Sequence, residues 1–278
     1  MNIAQALAVR GDADSYERQE NAWLLEHILK LNSLELKIRA DVVLSTEQQQ
    51  TYVQGLARIA AGEPLAYVIG SQPFWSLDLK VTADTLVPRP DTEVLVETVL
   101  NLALTDTAHV VDLGTGTGAI ALSLATERPQ WQVIATDIYP PTLAVAQENA
   151  TRHGLNQVQF FCGAWYAAFA GHALEKFDLI VSNPPYIDAL DQHMSALAAE
   201  PERALVADHQ GLADIEQIIA DAPMWLKPQG WVALEHGFQQ AAAVQALFAA
   251  AGFAQIKTVK DYGANDRVTL AQFNPELM

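Results

Sequence analysis

Apolar residues near the start of the chain recur with the period of an α-helix. Those between positions 16 and 31 lie at helical spacing, which predicts an amphipathic helix. A second helix is predicted after Ser45, because Ser45 and Gln48 have the spacing of a capping box. This helix is expected to stop at Gly62. The first ~65 residues therefore read as a small helical bundle.

The pattern changes to a period of two further along. From Trp75 onward, apolar and polar residues alternate through residues 75–82, as expected for a half-buried strand or hairpin. We interpret this segment as the join between two domains. The sequence thus predicts a helical domain over residues 1–70, a β-hairpin linker over 71–84 and a second domain over 85–278.

Strand and helix patterns alternate in the second domain. Short apolar strands are predicted at residues 109–113, 132–136, 158–162, 177–182 and 231–235. Helical patterns between them imply right-handed crossovers and a parallel α/β sheet with helices on both faces. One helix is expected over 94–104, with Asp91 as its N-cap. Residues 255–260 and 267–271 predict an antiparallel hairpin at the sheet edge.

Composition narrows the class of protein. Half of the 278 residues are apolar, which suffices for one large core and a smaller second domain. Cys162 is the only cysteine and the histidines show no ligand-like pairing, so we expect no disulfide and no metal. No stretch approaches the ~20 apolar residues that span a bilayer, so we expect a cytoplasmic protein without a membrane partner. The net charge of −17 disfavours a nucleic-acid partner, whose phosphates are bound mainly by Lys and Arg.

A glycine-rich segment follows the first predicted strand of the second domain. This glycine loop is Gly114, Thr115, Gly116, Thr117 and Gly118. Glycines let the backbone turn tightly and approach a ligand at the carboxyl ends of parallel strands. Asp137, at the end of the next strand, can accept both ribose hydroxyls of an adenosine group. These features fit S-adenosylmethionine, but the glycine spacing also matches the nicotinamide dinucleotide pattern.

A second candidate segment follows the strand at 177–182. This proline loop is Asn183, Pro184, Pro185 and Tyr186. Two prolines make the loop stiff, and the Pro184 carbonyl is expected to point outward as a free acceptor. An amide or aniline-like nitrogen is a poor nucleophile, because its lone pair is delocalised. Acceptance of its N–H groups by Asn183 and Pro184 would offset the charge that develops during methyl transfer.

The remaining residue of the proline loop has a predicted role of its own. Tyr186 is expected to pack its ring on the planar target group and hold it in line with the methyl donor. The structural alternative for the whole loop is a plain turn, since Asn-Pro opens many turns. A double acceptor on a stiff loop has no use in a dehydrogenase, which favours methyl transfer over hydride transfer.

The glycine loop resembles the first motif of class I methyltransferases, in which an acid stands two residues before the first glycine, as Asp112 does. That resemblance implies that the glycine loop lines the methionine portion of S-adenosylmethionine and that Asp137 binds the ribose, with Asn183 also bordering the cofactor. Many such enzymes carry an acid for adenine where this chain has Ala164. We expect Trp165 to offer a flat face for stacking instead, although an aromatic residue after a strand is often part of the core.

Motifs spread over nearly the whole chain resemble those of the HemK-type enzymes, the peptide chain release factor N5-glutamine methyltransferases. They lie at residues 88–93, 112–122, 182–187, 261–263 and 265–268. The resemblance implies a Rossmann-like methyltransferase sheet with a C-terminal antiparallel hairpin, and a small helical N-terminal domain joined by a β-hairpin. Because a separate helical bundle has no place in the methyl-transfer chemistry, we expect residues 1–70 to recognise the protein substrate. The implied reaction is methylation of the glutamine in the GGQ motif of bacterial class 1 release factors.

Three other functions remain open from the sequence. A glutamine methyltransferase of a large-subunit ribosomal protein is expected to read Pro-Arg-Ser-Pro where this chain has Pro-Arg-Pro-Asp at 88–91. A DNA or RNA amino-methyltransferase has the same proline loop, but the acidic charge and the lack of a basic arm count against it. A binding protein that keeps the fold without catalysis is disfavoured by the intact loops.

Overall fold

The computed structural model describes residues 1–191, 194 and 197–277. Contacts between residues divide the chain into two compact units, Met1–Ser71 and Gln72–Met278. Each unit has its own hydrophobic core.

The first unit is helical. Its helices are α1 (Ile3–Leu7), α2 (Tyr16–Leu29), α3 (Ser33–Ile38), α4 (Thr46–Ala60) and α5 (Leu65–Ile69). The predicted capping box is confirmed: Ser45 Oγ accepts from the Gln48 amide at 3.1 Å, and Gln48 Oε1 accepts from the Ser45 amide at 2.9 Å. Buried Tyr52 joins three helices, because its hydroxyl lies 2.7 Å from both the Ala6 carbonyl and Asn21 Oδ1.

A two-stranded hairpin opens the second unit. Its strands are β1 (Ser71–Phe74) and β2 (Leu77–Lys80). The predicted alternation is present, since Leu77 and Leu79 are buried while Asp78 is exposed. Trp75 lies in the turn of this hairpin with a φ of 54°.

A seven-stranded sheet forms the centre of the second unit. Its strands are β3 (His109–Leu113), β4 (Gln132–Asp137), β5 (Gln159–Cys162), β6 (Phe177–Ser182), β7 (Leu226–Glu235), β8 (Phe253–Lys260) and β9 (Asp266–Phe273). The order is β5-β4-β3-β6-β7-β9-β8. The first five strands are parallel, and β9 is antiparallel to β7 and β8. The predicted parallel sheet and C-terminal antiparallel hairpin are confirmed.

Helices cover both faces of this sheet. They are α6 (Glu93–Leu100), α7 (Ala119–Glu127), α8 (Pro140–Arg152), the single turn α9 (Asp208–Gly211), α10 (Ala213–Trp225) and α11 (Ala241–Ala250). Successive strand residues enter different cores: Val110 packs with α6 and α7, whereas Val111 packs with α10 and α11. This alternation is the reason that strands buried on both faces read as continuous apolar runs. In the part of the chain that the structure describes, no helix is long and apolar enough to cross a membrane.

The start of α6 differs from the prediction. Pro90–Thr92 form a 3-10 turn, and Thr92 occupies the N-cap without a side-chain capping bond. Asp91 therefore does not cap the helix, and its carboxylate lies 3.6 Å from the Arg267 guanidinium instead. Proline at the first position favours the tight turn, because its φ is already fixed. The helix also ends at Leu100, four residues earlier than predicted.

Candidate active site

The carboxyl ends of four parallel strands bring the predicted site together. Leu113 of β3 pairs with Thr136 of β4 and with Ser182 of β6, while Asp137 pairs with Cys162 of β5. The glycine loop, Asp137, the loop after β5 and the proline loop therefore emerge side by side. Together they border a cavity of about 270 Å³.

Most of the predicted site residues line this cavity. Those that do are Gly114, Thr115, Gly116, Thr117, Asp137, Trp165, Asn183 and Pro185. Gly118 instead caps α7 with a φ of 86°, and Pro184 is buried. The Tyr186 hydroxyl lies 3.2 Å from Oε1 of Glu235. The stacking of Tyr186 on a target group thus stays a prediction.

Asp112 fixes the shape of the glycine loop. Its Oδ2 accepts a hydrogen bond from the Thr115 hydroxyl at 2.6 Å and one from the Ala121 amide at 3.2 Å. Burial raises the pKa of Asp112 to about 7, against these two hydrogen bonds, with the charge of Asp137 adding to the rise. Because Asp112 is fully buried, it holds the loop on β3 and does not face the cavity.

The backbone of the glycine loop borders the cavity directly. Gly114 and Gly116 have φ values of 73° and 58°, a region that side chains other than glycine rarely adopt. A Cβ atom on Gly116 would meet no protein atom within 4 Å. The loop therefore leaves room for a ligand to approach its main chain.

Asp137 is the acidic group of the cavity wall. Its Oδ2 accepts from the Gly116 amide at 3.1 Å, and its Oδ1 accepts from the Tyr139 amide at 3.0 Å. Burial raises the pKa of Asp137, while these hydrogen bonds and then the positive charge of Arg203 oppose the rise. Each carboxylate oxygen keeps a lone pair that can accept from a ligand hydroxyl.

Trp165 and Asp214 meet on another wall of the cavity. The Trp165 ring would lie 3.1 Å from a Cβ on Gly114, so it packs closely over the glycine loop. Asp214, at the start of α10, also lines the cavity. Burial raises its pKa and a hydrogen bond from Trp165 opposes this rise. Asp214 was not predicted from the sequence, because no local motif relates it to the loop at Ala164, about 50 residues earlier. In the structure, Asp214 places a carboxylate on the same cavity as Ala164.

The proline loop is anchored at both ends. Asn183 Nδ2 donates to Thr92 Oγ1 at 3.2 Å, which leaves Oδ1 as the free half of the amide. Ser182 Oγ donates to the Leu113 carbonyl at 2.6 Å. The Tyr186 carbonyl accepts from Gln240 Nε2 at 3.0 Å. These bonds hold Asn183 at the cavity wall.

A buried group of charges lies behind the proline loop. Glu235, the last residue of β7, is 1% exposed. Burial raises its pKa to about 7, while hydrogen bonding by Thr92 and Tyr186 and the charge of Arg267 lower it. Arg267 in turn binds Asp261 Oδ2 through Nε at 3.1 Å and Nη2 at 3.0 Å. No local pattern in the sequence points to Glu235, because its partners are distant in the chain.

The segment before α6 borders the cavity from a further side. Arg89 forms an ion pair with Glu200, whose Oε2 also accepts from the Val87 amide at 3.0 Å. Glu93 Oε1 accepts from the Trp75 amide at 2.8 Å and so connects α6 to the hairpin. Arg89 lines the cavity and Glu93 does not. No group of three or more His, Cys, Asp or Glu side chains within the described ranges is arranged to hold a metal ion.

Both units of the chain match families of known proteins. Residues 90–208 match the family described as methyltransferase small domain, and residues 2–70 match the PrmC N-terminal domain. A release factor glutamine methyltransferase of Salmonella typhimurium is 44% identical over 266 residues, which cover 95% of each chain. A release factor glutamine methyltransferase of Pseudomonas aeruginosa is 49% identical over 233 residues, 83% of each chain.

A solved structure supports the fold independently. The crystal structure of a methyltransferase from Pyrococcus furiosus superposes with a TM-score of 0.54 and 18% identity. The match covers 80% of this chain and 98% of that one. The predicted methyltransferase fold is thereby confirmed.

Proposed function

Because the chain belongs to the release factor glutamine methyltransferases, we propose that it methylates the side-chain amide nitrogen of the glutamine in the GGQ motif of bacterial class 1 release factors, using S-adenosylmethionine. The observation that carries this proposal is the position of Asn183. Asn183 lines the same cavity as Gly116 and Asp137. An acceptor for an amide N–H group thus lies beside a pocket suited to an adenosyl ligand.

The residues of the cavity fit S-adenosylmethionine, which when bound supplies an electrophilic methyl group on a sulfonium sulfur. The open backbone at Gly116 leaves room for the methionine portion, and the free lone pairs of Asp137 suit ribose hydroxyls. Trp165 offers a ring face, and Asp214 offers an acceptor for an adenine amino group. Asp112 acts indirectly, because it fixes the glycine loop.

The proline loop would act on the target nitrogen. Asn183 Oδ1 and, if it is exposed on the cavity side of the buried Pro184, the Pro184 carbonyl would each accept a hydrogen bond from one N–H group of the target, which weakens the conjugation of the nitrogen lone pair. Bound S-adenosylmethionine would supply the methyl group to this nitrogen and leave as a neutral thioether, and the proton that the nitrogen loses would pass to water. The hydrogen bond from the target N–H group to Asn183 would become stronger as positive charge develops on the nitrogen, and this gain in the transition state would accelerate the transfer.

We assign the binding of the protein partner outside the pocket to the first unit, residues 1–70. This unit exposes apolar side chains within a short stretch: Leu34 is 64% exposed, Ile38 73%, Val42 53% and Val43 69%. Leu34 and Ile38 are four residues apart on α3 and so share one face. Exposed apolar groups close together commonly mark protein interaction sites.

A methylation assay with a mapped product tests the proposed function. Unmodified release factor is incubated with the enzyme and labelled S-adenosylmethionine, and the methyl group is located by peptide mass spectrometry. We expect one methyl group on the GGQ glutamine and none on a factor in which that glutamine is replaced by glutamate. A substrate of this kind places the enzyme in the cytoplasm.

The same assay includes the competing substrates. Large-subunit ribosomal proteins, DNA and RNA are offered under the same conditions. Robust labelling of any of them without labelling of the release factor contradicts the proposal.

A further inference from the structure

A buried carboxylate lies directly behind the proline loop. Glu235 ends β7, which runs parallel to β6 with Leu234 paired to Ser182. Its side chain therefore lies beside the start of the proline loop, in which the Tyr186 hydroxyl is 3.2 Å from Oε1. Burial raises the pKa of the Tyr186 phenol, so this hydroxyl keeps its proton and donates to Glu235. The roles assigned above do not use this carboxylate.

Thr92 connects Glu235 to Asn183. Its oxygen accepts from Asn183 Nδ2 at 3.2 Å, and hydrogen bonding by Thr92 lowers the pKa of Glu235. Oε2 of Glu235 is buried and has no hydrogen-bond partner among the described residues, but the Thr92 hydroxyl is near enough to lower the pKa of Glu235, so it is the donor that this oxygen attracts. An ionised carboxylate only accepts hydrogen bonds. The hydroxyl hydrogen of Thr92 is therefore drawn to Glu235, and its oxygen is left to accept from Asn183.

We propose that Glu235 is a positioning residue for the methyl transfer. In its ionised form it orients the hydroxyls of Thr92 and Tyr186 and thereby keeps the oxygen of the Asn183 amide, rather than its nitrogen, toward the target nitrogen. This inference rests on the proposed function. Protonated Glu235 can itself donate a hydrogen bond, so the Thr92 hydroxyl is no longer forced to donate to Glu235. The Thr92 hydroxyl can then donate to Asn183, whose NH₂ group is free to turn toward the cavity. An NH₂ group repels the N–H donors of the substrate amide.

The surroundings of Glu235 place its change of charge near neutral pH. Burial is the main cause that raises its pKa, to about 7, and the negative charge of Asp91 adds to it. Thr92, Arg267 and Tyr186 act in the opposite direction.

The charged groups near Glu235 do not keep it ionised throughout the neutral pH range. Arg267 is shared between carboxylates, since its Nη2 lies 3.0 Å from Asp261 and 3.6 Å from Asp91. His236 follows Glu235 in the chain, and its Nε2 lies 2.8 Å from Thr269 Oγ1. Burial lowers the pKa of His236, which favours its neutral form. Glu235 is therefore a carboxylate beside the proline loop that changes charge around neutral pH, whereas Asp112, which has a similar pKa, holds the glycine loop.

The first test compares single-turnover rates across neutral pH with saturating release factor. We expect the wild-type rate to rise with pH to a plateau. Glu235→Gln has the same shape but can donate, so it should lose this rise and turn over about 10- to 100-fold more slowly. Its affinity for S-adenosylmethionine, measured by titration, should stay unchanged. A wild-type rate in this variant, or an unaltered pH profile, overturns the proposal.

Asp178→Asn is the matched control. Asp178 is a carboxylate that, like Glu235, binds groups distant in the chain, the His109 amide at 2.8 Å and Lys227 Nζ at 2.7 Å, although it is less buried. It lies at the other end of β6. This variant should keep the wild-type rise with pH. Loss of the rise in Asp178→Asn as well would contradict a specific role of Glu235.

Thr92 provides a second pair of variants in case Glu235→Gln folds poorly. Thr92→Val keeps the shape and removes the hydroxyl, so it should show the same loss of rate. Thr92→Ser restores the hydroxyl and should recover most of that loss. Equal rates for the Val and Ser variants would overturn the proposed connection.

A readout without release factor separates the positioning role from the proposed function. The ¹⁵N–¹H signals of the Asn183 side-chain amide, assigned by their loss in Asn183→Ala, should shift with pH through neutrality in the wild type but not in Glu235→Gln. If they do so while release factor is not methylated, the proposed function fails and the positioning role stands. If release factor is methylated and the signals are indifferent to Glu235→Gln, the positioning role fails.

Discussion

Asp112 and Glu235 are both buried, both have a pKa raised to about 7, and each has one oxygen without a hydrogen-bond partner in the described part of the chain. Their surroundings differ in origin. Asp112 binds Thr115 and Ala121, three and nine residues later. Glu235 binds Tyr186, which is 49 residues earlier. The glycine loop is thus shaped by local contacts, whereas the proline loop is held by elements distant in the chain.

This difference predicts that cofactor binding and methyl transfer can be separated by mutation. The glycine loop needs β3, α7 and Asp137 for its hydrogen bonds. The proline loop needs the turn at Thr92 and the end of β7. A change on one side should therefore leave the function of the other side nearly intact.

Asn183→Ala should have the largest effect. It removes an acceptor that acts as charge develops on the nitrogen, so kcat should fall on the order of 10²–10³-fold, by analogy with the loss of one oxyanion-hole group. Cofactor affinity should be nearly unchanged. Single-turnover rates and cofactor titration check both parts. Asn183→Asp keeps an acceptor oxygen and should retain more activity than Ala, and a wild-type rate in Asn183→Ala would reduce the proline loop to a structural turn.

Asp137→Ala should have the opposite effect and change cofactor binding rather than methyl transfer. The carboxylate is expected to bind ribose hydroxyls that change little during the reaction. Its loss should weaken cofactor binding by roughly 1.5–3 kcal/mol, with little effect on the rate at saturating cofactor. Isothermal titration and single-turnover rates measure the two effects. A variant that binds cofactor normally but reacts slowly would reverse the assignment.

Asp112→Asn should change how stability depends on pH. The folded state keeps the Asp112 proton up to a pKa of about 7, whereas the unfolded chain releases it near its ordinary value of 3.8. Between these values the folded state binds more protons, so this group makes the free energy of unfolding fall as pH rises, by up to about 1.4 kcal/mol per pH unit. Above the folded pKa its contribution is constant.

Urea unfolding at several pH values between and above these two pKa values measures this effect. The variant lacks the titrating group, so the wild-type curve should fall more steeply with pH than that of Asp112→Asn. Parallel curves would show that Asp112 is ionised in the folded protein throughout this range.

Ile38→Glu should have the smallest effect, because it touches neither loop. Ile38 is 73% exposed, so stability should change little. If the first unit binds the release factor, KM for the intact factor should rise about 10-fold, as for one contact worth more than ~1 kcal/mol. Activity on a short GGQ peptide should stay the same. Met224→Glu, at a position 72% exposed in the second unit, is the control, and an equal KM rise there would argue against a specific surface.

Local patterns along the chain were enough to predict most helices and strands and the chemical groups of the site. The parallel strands, the C-terminal hairpin and the capping box at Ser45 follow from hydrophobic period and local hydrogen bonding, which are written in neighbouring residues. The glycine loop and the proline loop were recognised for the same reason, because each is a contiguous string at a strand end. Eight of the predicted site residues, from these two loops and from the ends of the neighbouring strands, line one cavity.

Which side chains support those groups depends on contacts between distant parts of the chain. Thr92, Asp214 and Glu235 come from three segments far apart in the chain, and only the strand order brings them to the cavity or behind it. The prediction that Asp91 caps α6 was wrong for a related reason. A 3-10 turn that begins at Pro90 precedes the helix, and the Asp91 carboxylate lies near Arg267 of β9 instead. Hydrogen-bond partners of buried groups depend on which distant strands become neighbours, and no local pattern records that choice.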